Sequence, residues 1–249
     1  MLNEPQTFRR RFRRAIKTKK ALLVGCVLLL LAGGVTVATF RALALQEPAE
    51  PGTIAWTAQE ARAQDITDIS STVFPMYTSV NGLDEATSRY TVVVAQASDR
   101  HTHLIDAYSF MTWYKFRVVE TISSKPLLCT DCPSVSPPAE MLPVATNEIL
   151  VPTVGGEFVY DGVTCRTSER EHPAFNISAN YLLFIDLDAA NRVGATSIGP
   201  AGIFHINNDQ LSPVGTSTAI SDDIAARYNN SLSQLRAGLS GTPRSGVRA

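Results

Sequence analysis

Cys129 and Cys132 enclose Thr130 and Asp131 in a stretch rich in proline, with Pro126, Pro133, Pro137, Pro138 and Pro143 around them. Two cysteines at this spacing can form a disulfide, act as a redox pair, or supply half of a zinc site. A redox pair needs one thiolate stabilised, usually at the start of a helix, and the prolines oppose a helix there. A zinc site would draw its remaining ligands from Cys165 and His172, but a cysteine and a histidine with six residues between them do not make a standard half-site. Pro133 stands where a c-type haem motif requires histidine. The expectation for an exported chain is therefore one structural disulfide: Cys129 with Cys132, or one of these two with Cys165, since three cysteines are odd in number.

The other polar constellations are weaker. His101 and His103 flank Thr102 after Asp99 and Arg100, and the expectation is a polar turn; in a strand the two imidazoles would share a face and could share a metal. His205, within a strand, is expected to pack rather than to ligate. Asp186 and Asp188 are paired on one strand face, a place where acids are routine. The sequence holds no Gly-x-Ser-x-Gly elbow, no phosphate loop and no His-Glu-x-x-His. Neither a catalytic residue nor a cofactor is expected.

The elements that must position these residues begin with an unusual partition of charge. The 249 residues carry a net charge of −1 and are 45% hydrophobic, which excludes a wholly disordered or multi-span chain. Yet residues 1–20 hold eight basic side chains (Arg9, Arg10, Arg11, Arg13, Arg14, Lys17, Lys19, Lys20) and one acid, while from Leu45 onward 13 basic residues face 22 acidic ones, a net of −9. Between them residues 21–40 contain no charge. Twenty residues of helix span about 30 Å, the hydrocarbon thickness of a bilayer. Cationic flanks stay in the cytoplasm, so the expectation is a transmembrane signal anchor over 21–43, its basic cluster on anionic lipid heads and the rest of the chain outside. Two alternatives also export the chain. One is cleavage after Ala44, with Arg9 and Arg10 resembling a twin-arginine signal; the other is a lipoprotein signal at Cys26, whose apolar residues lie on the wrong side.

Residues 44–69 read as a spacer with a short helix in its second half, and 70–216 as the exported domain. Short β-branched and aromatic runs recur there: 90–97, 107–122, 148–154, 158–160, 163–165, 181–187, 203–206 and 211–214. Tyr114, Phe116 and Val118 alternate with Lys115 and Arg117, a period of two with one wet face. Asp161 and Gly162 make a hairpin turn, and residues 181–187, apolar on both faces at their start, belong in the middle of a sheet. The pattern predicts an all-β domain, a small antiparallel OB-like barrel or sandwich. In 217–249, Ile224, Tyr228, Leu232, Leu235 and Leu239 share one face of a single C-terminal helix packed on it, followed by a tail.

Four short patterns, in this order, resemble exported bacterial proteins with an OB-like barrel of the netrin/tissue-inhibitor type. They are the strand Tyr114 to Glu120, Lys125, the pair Gly155 and Gly156, and Tyr181 to Phe184 leading to the Gly-Pro-Ala-Gly at 199–202. The group usually has Lys-Gly where this chain has Lys125 and Pro126. The resemblance implies a barrel and no particular activity; no cleavage site exposes the N-terminal cysteine through which inhibitory relatives act. The expected function is a non-catalytic, membrane-tethered domain that binds a protein partner or fills a structural role at the cell envelope. The acidity of the exported part opposes nucleic acid. Alternatives are a thiol or zinc protein using Cys129, Cys132 and Cys165, and an exported hydrolase with an unrecognised site.

Overall fold

A computed structural model describes residues 49–125, 136–169, 174–188, 190–216 and 218–241. The expected membrane segment, its basic cluster, Cys129, Cys132 and His172 lie outside these residues. Among the described residues no helix is long and apolar enough to cross a membrane. All the described strands and helices belong to the unit Pro51–Ala249.

Five strands close into a barrel: β2 (Thr91–Leu104), β3 (Phe110–Ser123), β4 (Glu148–Val154), β8 (Val193–Ala195) and β7 (Asn180–Asp188). Strand β2 runs antiparallel to both β3 and β7, β3 antiparallel to β4, and β8 joins β4 in parallel and β7 antiparallel. The barrel alternative therefore holds over the sandwich, with one parallel junction that alternation could not reveal. The second edge of β7 is shared. Asp186 to Asp188 pair with β8, whereas Asn180 to Leu183 pair with β9 (Ile203–Asn207), which carries β10 (Gln210–Pro213) beyond it.

The two faces of these strands serve two cores. Val93, Ala95, Phe116, Ile149, Val151, Tyr181, Leu183 and Ile185 fill the barrel interior with Phe175. Three edge-to-face contacts lock the rings: Phe175 lies 5.0 Å from Tyr114, 4.9 Å from Phe116 and 5.1 Å from Tyr181, centroid to centroid. The opposite faces of β2 and β7, through Val92, Val94, Leu182 and Phe184, pack against helices. This double burial is why β7 reads as a continuous apolar run.

The helices on that outer face are α2 (Leu83–Arg89), α3 (Ala219–Tyr228) and α4 (Leu232–Gly241). The sequence pattern predicts a single C-terminal helix, and the structure has two. Asn229 and Asn230 take left-handed backbone conformations, which asparagine tolerates, and the turn between β9 and β10 caps the second helix. There Asp209 accepts from the Ser233 backbone N–H at 2.8 Å and from the Ser231 hydroxyl at 2.7 Å. The predicted apolar stripe survives the break: Ile224, Leu232 and Leu235 are buried, and Tyr228 and Leu239 pack beside them.

A second layer stands at one end of the barrel. Strands β5 (Gly156–Tyr160) and β6 (Val163–Glu169) form the expected hairpin around Asp161 and Gly162. An unexpected strand, β1 (Asp68–Val73), pairs in parallel with β6. Helix α1 (Ile54–Ala63), started by Thr53 accepting from the Trp56 N–H, supplies Ala58 and Ala61 to a small core with Phe110, Val163 and Cys165. The chain passes from barrel to this sheet through Gly155 and Gly156, both with positive φ.

Candidate binding site at the barrel mouth

A β-bulge decides what reaches the end of the barrel. Before it, the odd-numbered residues of β2, Val93 to Ala97, point inward. The register then shifts between Ala97 and Asp99, and Ser98 fixes the irregularity by donating to the Lys115 carbonyl at 3.0 Å. Beyond it Arg100 pairs with Tyr114 and Thr102 with Thr112, so even-numbered residues now share the inward face. The bulge thus aims Arg100 and Thr102 at the barrel mouth and turns His101 and His103 to the outside.

At this mouth the apolar filling gives way to a polar groove of about 400 Å³ between β2–β3 and the β5–β6 hairpin. Such a volume lies within the ~300–1,000 Å³ range of small-ligand sites. Tyr114 lines it as well as the core, being only 2% exposed. Its oxygen interacts with the Arg100 guanidinium and with the backbone of Phe175. Burial is the largest influence on this phenol and pushes its pKa up, only partly opposed by Arg100, so Tyr114 remains a neutral donor.

The other wall is charged in both senses. Arg166 is answered by two carboxylates, Asp68 of β1 and Glu157 of β5, the latter 3.0 Å from its Nε. Glu169, buried at the end of β6, accepts the hydroxyl of Tyr77. Burial, and then the Glu169 carboxylate, pushes the Tyr77 phenol far up, which keeps it a donor. Arg100 differs: among the described residues no carboxylate lies within ion-pair distance of it. The corner itself is built by close approach. Thr112 accepts from the Thr102 hydroxyl at 2.8 Å and donates to the Gly155 carbonyl, and a Cβ on Gly156 would collide with the Thr112 hydroxyl.

The residues singled out by sequence are placed elsewhere. Cys165 is a free thiol, buried under α1, and burial raises its pKa. Of the two disulfide alternatives, the one through Cys165 is thus not found, because its side chain is enclosed in the small apolar core. His101 and His103 lie in strand β2, not in a turn, since pairing with β3 carries the strand through Leu104. Their rings are 6.3 Å apart, His101 Nε2 is 3.9 Å from a Glu140 oxygen, and the buried His103 Nδ1 has no hydrogen-bond partner among the described residues. Burial, then the neighbouring His101, lowers the His103 pKa against a smaller opposing influence of Glu140. No group of three or more histidine, cysteine or acidic side chains among the described residues could hold a metal ion. His205 packs edge-on against Tyr181 at 5.5 Å. Asp186 accepts from the Ser197 hydroxyl at 2.5 Å, and Asp188 holds the turn at Ala190 and Asn191. Both aspartates are structural.

Sequence reasoning missed Arg100, Thr102, Thr112, Glu157, Arg166 and Glu169 as a group. The available signals were the Gly155–Gly156 pair and Tyr114, a polar-tipped residue in an apolar strand. No protein-family model matches the chain, and no curated protein matches it.

Proposed function

We propose that this chain is a membrane-tethered, extracytoplasmic binding domain of the OB-like, netrin/tissue-inhibitor kind, whose barrel mouth receives a partner at the cell envelope. The observation carrying this reading is the polar groove at one end of a barrel otherwise filled by side chains. The address rests on the basic residues 1–20 followed by the uncharged residues 21–40. In this reading Cys129 and Cys132 form a disulfide that staples their loop, and the chain is not an enzyme.

Site-specific photocrosslinking in intact membranes tests the binding site. A photoreactive residue at Thr153, on the groove wall, should give a discrete adduct, and the same residue at the exposed Val119 should not. Equal labelling from both positions, or none from Thr153, defeats the reading. Protease added to the outer face of the cytoplasmic membrane should digest the domain, and its survival beside a digested control would reverse the orientation. A soluble mature chain beginning at Leu45 would show that the leader is cleaved.

A further inference from the structure

We propose that the barrel mouth recognises a carboxylate, held by the Arg100 guanidinium and the Tyr114 hydroxyl. The proposal rests on the binding reading above and names the chemistry of what is bound.

Among the described residues Arg100 is the groove cation without a carboxylate partner. Arg166 has Asp68 and Glu157, and Glu169 has the Tyr77 hydroxyl. Arg100 lines the same groove with no described carboxylate within ion-pair distance, and Tyr114, its cross-strand partner, lines it too. The Tyr114 oxygen meets two donors, the guanidinium and the Phe175 backbone. Both lower the phenol's pKa, as donors to its oxygen do, which leaves its own proton for an acceptor. A buried hydroxyl with an undirected proton beside an unmatched guanidinium is a two-donor anchor for an anion.

The rest of the wall selects which anion. Glu157 and Glu169 line the same groove, so a dianion would meet two like charges. A planar monoanion with two oxygens fits the guanidinium fork and leaves one lone pair for the phenol. Gly156 lines the groove with its backbone packed closely against the Thr112 hydroxyl. The carboxylate could belong to a small organic acid or to the C-terminus of a peptide.

Ligand-observed NMR on the full chain in detergent, with acetate, tri-alanine, tri-alanine amide and inorganic phosphate as probes, tests this. Acetate and tri-alanine should bind and the amide should not. Arg100→Gln should weaken binding by about 10–100-fold, as loss of a charged hydrogen bond does. Arg100→Lys should recover part of the affinity, and Tyr114→Phe, which keeps the ring packing, should weaken binding less than Arg100→Gln. Thermal melts of Arg100→Gln should match the parent, which separates recognition from folding. Tri-alanine binding at least tenfold tighter than acetate supports a peptide terminus, and comparable affinities support a free acid. Binding of the amide as well as the acid, tighter binding of phosphate, binding unchanged in Arg100→Gln, or no binding of either carboxylate overturns the proposal. The Thr153 adduct is read independently. If it persists while these probes fail, the groove still binds and only its chemistry has been misassigned.

Discussion

Thr112 donates its hydroxyl to the Gly155 carbonyl at 2.6 Å, and the same oxygen occupies the space a Cβ on Gly156 would need. One threonine therefore both fixes the corner between barrel and second sheet and restricts it to glycine. Gly156→Ala adds a steric clash to a φ of +122°. Backbone strain of about 1–3 kcal/mol and overpacking of about 1–3 kcal/mol together predict a loss of about 2–6 kcal/mol. Gly162 has φ +81° but open space around it, so Gly162→Ala should cost only about 1–2 kcal/mol. Denaturant melts of the two variants read the difference; equal losses would mean that contact with Thr112 does not limit the corner.

The barrel interior gives a second contrast. Phe116 is fully buried against Phe175, whereas its neighbour Lys115 points to the other face. Phe116→Ala should cost about 3–5 kcal/mol, a large share of a typical ~5–15 kcal/mol stability. Lys115→Ala should stay within about 0.5 kcal/mol. The same melts would refute the register if the two substitutions proved alike.

That register was legible because Tyr114, Phe116 and Val118 alternate with Lys115 and Arg117, and β7 was legible because both its faces are apolar. Strand β1 was not. Asp68-Ile-Ser-Ser-Thr-Val73 has no alternation, and it becomes a strand by pairing with residues 164–169, far along the chain. Helix α2 is short, and the Leu83 N–H at its start is capped by Asp223 of α3, a partner 140 residues away. The groove was hidden for a related reason. Whether Arg100 or His101 faces the mouth depends on a one-residue bulge at Ser98, and nothing in the local pattern marks it.

His103 provides a pH prediction. Its folded pKa lies below the unfolded value of 6.5, so the unfolded chain binds more protons between the two. The sign follows: this contribution to stability is intact above pH 6.5, falls as the pH drops through the depressed folded pKa, and levels off below it. The melting temperature of the parent should therefore fall relative to that of His103→Gln as the pH drops from 7.5 towards 5. Parallel profiles would show that the buried Nδ1 imposes no proton-linked cost.

The cysteines make the fourth prediction. Under native conditions the Cys165 thiol should alkylate slowly, because it is buried with a raised pKa, and rapidly once the chain unfolds. If Cys129 and Cys132 are oxidised together, mass spectrometry should find them linked and no stoichiometric metal. Changing both to Ser should destabilise by at most a few kcal/mol, since a short loop restricts the unfolded chain least. One zinc per chain without a disulfide would move the assignment to a metalloprotein.

The barrel's closure is uneven. Strand β8 has three residues, touches β4 through the single pair Leu150–Val193, and meets β7 through three, whereas β3 and β4 share seven pairs. The Leu150 N–H to the Arg192 carbonyl, 2.9 Å, and the Arg192 side chain returning to the Glu148 carbonyl hold the same seam. Few bonds have to break there, so the cylinder can part along one line while the curved ribbon of β7, β2, β3 and β4 stays whole. Amide exchange should then come in two tiers: shallow at Val193 to Ala195 and the β4 amides that face them, deep along β2 and β3. This is a hoop fastened by its shortest stave, able to spring open without coming apart.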